Sequence, residues 1–384
     1  MSGPAARAAA FAAVLAAAWP ANARAFDGTP IKVIVPDGEN LQYLSFWVAR
    51  AAGFFRDEGL AVELVIPDRP QLTGDLVRKE AADVAVLPPP TYLELIADRV
   101  PIVLVANLLR NDPIDLVVRR EVMAARGLSR AQPVADRLRG LRGLRVGVAP
   151  NPPARLRALF ASEGLDADRD VEIVVLHGKE QNAAFAAGRV DALYAHTPYL
   201  ETALVEQGAE LLVDQSGGEI AALATRQIHA LAVTRRLAEA SPGTVTALTR
   251  AIDRAERLVH ADRAAAEAAL LREQRGVSAR TLPTILALYE PAIPETPDVS
   301  ADGLTPALAL FPASRKPPSL AGIDLAEYVA PRFAADVVKG RGAGGAGGSA
   351  WSVRRIGSAA LLGLVVLAAV LGARVWRARR GVAS

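Results

Sequence analysis

One stretch of this chain repeats another at long period, and that repeat limits the folds available more than any other feature. Ala82-Asp83-Val84-Ala85-Val86 followed by Pro90-Thr91-Tyr92-Leu93-Glu94 returns as Val190-Asp191-Ala192-Leu193-Tyr194 followed by Pro198-Tyr199-Leu200-Glu201. The pieces upstream match in the same order. Apolar runs Ile31 to Val35 and Leu144 to Ala149 each lead into a helix-like segment that ends in Glu-Gly-Leu, at 58–60 and at 163–165. Second apolar runs follow, Val62 to Ile66 in one unit and Val171 to Leu176 in the other. A shift of roughly a hundred residues is too long for a solenoid, which stacks several short units, and predicts two paired α/β lobes.

Within each unit, short β-rich runs alternate with helical segments. Ser45 to Glu58 reads as a helix stopped by Gly59, and Gln71 to Lys79 as a second. Ala82 to Leu87, Ile102 to Ala106, Glu210 to Val213 and His229 to Thr234 read as further strands. This rhythm predicts a mostly parallel sheet covered by helices on both faces. Arg235 to Ala240, Pro242 to Ala269, Ser278 to Tyr289 and Asp324 to Val338 are predicted helices that pack back on the first lobe. In α/β sheets of this kind a ligand sits at the carboxyl ends of the strands, here between the lobes.

Both ends of the 384-residue chain carry targeting features. Arg7, the apolar core Ala8 to Trp19, Pro20 and Ala23-Arg24-Ala25 stand in the order of a secretory signal peptide, 1–25, so that the mature chain begins near Phe26. Gly340 to Ser349 has linker composition. Ile356 to Ala373 is uncharged and apolar, flanked by Trp351, Trp376 and clustered arginines, and spans about 27 Å as a helix. A C-terminal transmembrane helix (356–375) with a short basic cytoplasmic tail (376–384) is expected, leaving an extracytoplasmic ectodomain anchored in the cytoplasmic membrane. Cysteine is absent, which excludes disulfides, thiolate metal sites, thiol nucleophiles and a lipidated N-terminal cysteine. Net charge is only +3, and no basic patch is interleaved with aromatics, so no nucleic-acid partner is expected.

Four segments in series carry a resemblance: FWVARAAGFFRDEGLAVELV (46–65), LRGLRVGVAP (141–150), AFAAGRVDALYAHTPY (184–199) and LAVTRRLAEASPGTVTALTRAI (231–252). They are similar to the SsuA/THI5-like (NMT1-like) periplasmic substrate-binding proteins of ABC transporters, from about Ile31 to Phe333. The resemblance implies a type II periplasmic-binding-protein fold. Its first lobe would comprise 26–113 and the return part 228–339, its second lobe 114–227, and 340–355 the linker to the membrane helix. Crossovers would fall near Asp112 to Val117 and Thr225 to Ala230. It further implies hinge closure on a small-molecule ligand, a permease and ATPase subunits as partners, no cofactor and no chemistry on the ligand.

Positions at the expected cleft are few. The loop Pro36 to Tyr43 offers Asn40, Gln42 and Tyr43, with Trp47 assigned to the core. Pro88 and Thr91 follow the third strand, Thr91 serving equally well as a helix N-cap. Asn107 follows the strand Ile102 to Ala106. In the second unit, Asn151 as N-cap and Arg155 occupy the strand-to-helix turn, where Pro150, Pro152 and Pro153 have no N–H to offer an anion. Arg155 can compensate, although a solvated side chain is the plainer expectation, since Arg gains nothing from the dipole at a helix N-terminus. His177 closes one strand, and Tyr194, His196 and Thr197 close another, with His196 a candidate hydrogen-bond donor. With four histidines and no pair at ligand spacing, a metal site is not expected. Asp83 and Asp191 are expected to fix turns. These side chains suit a small polar or heterocyclic ligand more than a strong anion. Three functions remain open: an importer's binding component, a ligand-sensing ectodomain that signals through a separate membrane partner, and a THI5-like pyrimidine-related enzyme.

Overall fold

The computed structural model describes residues 30–38, 41–150, 153–224, 227–273, 277–310 and 317–343. The signal segment, the apolar run 356–375 and the basic tail, Asn40 and Asn151 lie outside them. Among the described residues no helix is long and apolar enough to cross a membrane.

The chain begins with β1 (Ile31–Ile34), α1 (Leu44–Ala51), α2 (Phe54–Asp57), β2 (Val62–Val65), α3 (Thr73–Arg78), β3 (Val84–Leu87), α4 (Pro89–Ala97) and β4 (Ile102–Asn107). It continues through β5 (Ile114–Arg119), α5 (Arg120–Arg126), α6 (Val134–Arg139), β6 (Arg145–Val148), α7 (Pro153–Ser162), α8 (Ala167–Asp170), β7 (Glu172–Val175), α9 (Glu180–Ala186), β8 (Ala192–His196), α10 (Tyr199–Glu206) and β9 (Ala209–Val213). It closes with β10 (Ala230–Thr234), α11 (Arg235–Ala240), α12 (Pro242–Ala261), α13 (Arg263–Glu273), α14 (Leu282–Tyr289) and α15 (Pro331–Ala343).

Two five-stranded sheets result, ordered β2-β1-β3-β10-β4 and β7-β6-β8-β5-β9. Each is mostly parallel, as expected, with one reversed strand that makes it mixed. β10 runs antiparallel to β3 and β4, and β5 antiparallel to β8 and β9. The reason is the length of the connection. β4 ends at the edge of its sheet that carries the C-termini of β1 and β3, and the short segment 108–113 delivers the chain to the corresponding edge of the other sheet. β5 can then only run away from that edge, against its neighbours. β10 repeats the manoeuvre on the way back. The repeat seen in the sequence is thus a repeat of strand order, with the strand received from the other unit fourth in each sheet.

The two crossovers lie side by side. Leu108 N–H donates to His229 O (2.7 Å) and Ile228 N–H to Leu109 O (2.8 Å). The end of α14 and the segment after it hold the first crossover in place: Arg110 N–H donates to Ala292 O (2.8 Å), and the Tyr289 hydroxyl donates to Pro113 O (3.1 Å).

Each sheet has its own core. The first contains Val33, Phe46, Leu87, Leu104 and Leu231 together with Leu248, Ile252 and Val259 from one stripe of α12, spaced as an amphipathic helix requires. The second sheet is buried on both faces: Ile114, Leu116 and Val118 of β5 enter one cluster and Val117 the other, the alternation of a strand covered on both sides. Leu288 on α14 packs against both the first core and one of these.

Several expected boundaries move. The helix expected over 45–58 breaks at Gly53, whose left-handed φ of 78° separates α1 from α2. The helix expected over 242–269 breaks at Asp262, the C-cap of α12, and the expected linker start at Gly340 is the last turn of α15. Gly147, in the middle of β6, is where a close approach demands glycine. A Cβ there would stand 2.8 Å from Leu193 Cδ2 and 2.9 Å from Leu176 Cδ1. Gly147→Ala should overpack this face and cost about 1–3 kcal/mol in urea unfolding; an unchanged midpoint would show that the packing there gives way freely.

Candidate functional site

The segments that follow β1 and β6, the C-terminal end of β8 and the approaches to β5 and β10 bring polar side chains from both sheets together. Arg155, on the first turn of α7, is only 14% exposed and donates from Nη1 to Asp112 Oδ1 (2.8 Å) and to His196 Nε2 (3.1 Å). The expectation of a solvated Arg155 is therefore corrected. The guanidinium points back across its own helix N-terminus to a carboxylate on the first crossover, which outweighs the unfavourable dipole.

His196 is the last residue of β8, not one beyond it. Opposite, on the first sheet's side, Tyr43 and His229 pack ring to ring at 4.7 Å, and His229 Nδ1 lies 3.0 Å from the carbonyl of Gln42. Gln42 Nε2 donates to the Tyr43 hydroxyl (3.3 Å). The two ring nitrogens so engaged fix both tautomers. Arg155 can only donate, so His196 Nε2 accepts and its proton sits on Nδ1; a carbonyl can only accept, so His229 carries its proton on Nδ1. Burial holds both imidazoles neutral, with the nearby Arg155 charge acting in the same direction: His196 falls well below its ordinary value and His229 to about 3. Burial raises the Asp112 carboxyl, an effect that Arg155 opposes.

The other expected positions fall outside this cluster or behind it. Tyr194 is fully buried in β8 with its hydroxyl on Gln215 Oε1 (2.8 Å). Asn107, at the end of β4, is buried and accepts from Leu109 N–H (3.4 Å). Pro88 is the N-cap of α4, so Thr91 is not; its methyl instead lies beside Gly74. His177 is exposed next to the edge strand β7, with its N–H on Glu180. Asp191 pairs with Arg145 (2.7 Å), and Asp83 takes the Thr234 hydroxyl (2.9 Å), both at the strand starts, away from the cluster. Among the described residues no group of three His, Asp or Glu side chains is placed to hold a metal ion. Asp112 and His229 were not singled out as site residues in the sequence. Each is the last polar residue before a crossover strand, and that placement is the only signal that marks them.

Behind the cluster Thr197, Glu201 and Asp115 are fully buried. Asp115 is held by the N–H and hydroxyl of Ser216 (2.8 and 2.7 Å), whereas neither carboxyl oxygen of Glu201 has a partner of good geometry among the described residues.

The family model described as NMT1/THI5 like matches residues 40–266. The chain belongs to the NMT1/THI5-like family. A protein of Haemophilus influenzae named "Putative thiamine biosynthesis protein" is 30% identical over 156 residues, 40% of this chain and 46% of that relative. The chain thus matches less than half the length of this curated relative. Among solved structures, the periplasmic aliphatic sulphonate binding protein SsuA of Escherichia coli aligns at TM-score 0.55 with 18% identity, over 73% of this chain and 85% of SsuA. The desulfurization enzyme DSZB aligns at 0.53 with 17% identity, over 82% and 100%. At these identities the likeness is one of fold. It is an α/β fold with two mixed sheets, shared by the sulphonate-binding protein SsuA and by the enzyme DSZB.

Burial pushes Glu201 up to about 8 and Asp115 up to about 7. Both folded values exceed those of the unfolded chain, so their contribution to stability is full below about pH 4 and is lost as pH rises through 7 and 8. The depressed histidines act in the opposite sense, but only below their ordinary value near 6.5. Between pH 6.5 and 8, therefore, the melting temperature should fall, and Glu201→Gln should flatten that fall. A wild-type melting temperature that rises across this window would contradict the burial of an ionisable Glu201.

Proposed function

We propose that this chain is the extracytoplasmic solute-binding component of an ABC importer, capturing a small polar or heterocyclic molecule between its two sheets by hinge closure. The observation that carries the reading is the Arg155, Asp112, His196, Tyr43 and His229 cluster, drawn from two separately cored lobes that are joined through paired crossovers. A ligand that touches both lobes favours the closed arrangement by its differential affinity for it. Two cores with little shared packing let each lobe move as a body, while the crossover hydrogen bonds form the hinge.

Gln42, Tyr43 and His196 are proposed to line the ligand together with Arg155, with Thr197 behind them, and Asn40 and Asn151 are proposed to lie at its rim. Lobe boundaries are proposed at the crossovers, near 113 and 227. In this reading the signal segment exports the chain, the apolar run 356–375 holds it to the cytoplasmic membrane, and a permease with its ATPase subunits receives the ligand. No chemistry on the ligand is proposed.

Native mass spectrometry of the purified full-length chain tests the binding reading. A retained small molecule is expected, with His196→Ala lowering its occupancy and its affinity by about tenfold. Absence of any bound molecule, together with no thermal stabilisation across a metabolite library, would remove this reading.

A further inference from the structure

Asp112 is 1% exposed, and its two oxygens are used unequally. Oδ1 accepts from Arg155, while Oδ2 is buried with no hydrogen-bond partner among the described residues. A buried carboxylate oxygen normally finds a donor, and three neighbouring donors are engaged elsewhere. Arg155 Nη1 already donates to Oδ1 and to His196. The Tyr194 hydroxyl is directed to Gln215. His229 has its proton on the Gln42 carbonyl.

Charge around the cluster leads to the same place. Arg155 is its cation and Asp112 cancels it; the two imidazoles are neutral, and Asp37, which acts on Tyr43 from the first sheet's side, adds negative charge. An anion entering here finds no surplus positive charge. It also finds a helix whose first residue, Pro153, lacks the N–H group that helps hold anions at helix N-termini.

Building on the solute-binding reading above, we propose that Asp112 is a ligand-contacting residue that sets specificity. Oδ2 accepts an N–H from an uncharged or cationic nitrogen compound of the amide or amidine class, and the carboxylate, by neutralising Arg155, excludes sulfonate-type anions. The cluster presents the complement of such a group: acceptors at Asp112 Oδ2 and His229 Nε2, and a donor at His196 Nδ1.

Calorimetry on the full-length chain with three probes tests this: nicotinamide (neutral, N–H), benzamidinium (cationic, N–H) and ethanesulfonate (anionic). Wild type should bind one of the nitrogen probes at least about tenfold tighter than ethanesulfonate, and Asp112→Asn, nearly isosteric, should erase that preference by a similar factor while ethanesulfonate gains. Should Asp112→Asn fail to fold, Arg155→Gln provides the second test: it leaves Asp112 charged, so benzamidinium should bind tighter and ethanesulfonate no better than in wild type. A wild-type preference for ethanesulfonate, or an Asp112→Asn protein with the preference unchanged, overturns the assignment of Asp112 and leaves the solute-binding reading standing. Binding of none of the probes to any of these proteins also overturns it, and the retained-molecule measurement then decides separately whether the cleft binds a solute at all.

Discussion

The ion pair between Arg155 and Asp112 is the interaction on which the centre of this molecule depends. It ties the first turn of a helix on the second sheet to the crossover that arrives from the first, at a depth where either charge alone would be costly. Through Arg155 the pair also reaches His196, and its field reaches Tyr43 and His229 across the gap. The cluster is therefore one electrostatic unit made from both lobes and one crossover. Removing either partner leaves the other as a buried, uncompensated charge, so the pair constrains the position of α7 as much as it shapes the site.

The architecture around the pair follows from how the chain changes sheets. A short first crossover obliges β5 to enter antiparallel, and the return does the same for β10, so both crossovers end at the same edge, where their polar residues converge. Hydrogen bonds between the crossovers, and the segment after α14 laid along the first of them, keep this edge ordered. The cores on either side remain separate apart from Leu288. Apolar burial thus gives each sheet its own core, while backbone hydrogen bonds join the two crossovers that link them.

Much of the fold was legible in the sequence because it rests on local patterns. Apolar runs punctuated by Glu-Gly-Leu gave the strand and helix order, and the long-period repeat gave two units. The reversed strand β5 was not legible: Ile114 to Arg119 was read as part of a crossover, and a strand buried on both faces carries no apolar–polar alternation to mark it. Gly53 was hidden inside an otherwise helical pattern. At the site, the strand-end rule found Tyr43, Arg155 and His196, but Arg155 was read by its helix position alone, and its partner stands 43 residues away on another element. Asp112 lies on a crossover with no periodic signature and His229 just before a strand that was read without its partner; only the folded chain shows that both return to the same edge. Tyr194 shows the converse: a strand-end residue can turn inward and be satisfied by Gln215.

The central claim is that this cluster is where the protein holds its ligand. A crystal structure of the full-length chain with the small molecule it retains tests that claim most directly. The account predicts the molecule between the two sheets, within hydrogen-bond distance of Asp112 and His196 and in contact with Tyr43 or His229 from the other side. A molecule bound on one lobe alone, for instance in the groove formed by Arg50, Phe55, Leu60 and Glu273, with the Arg155–Asp112 pair untouched, would contradict it.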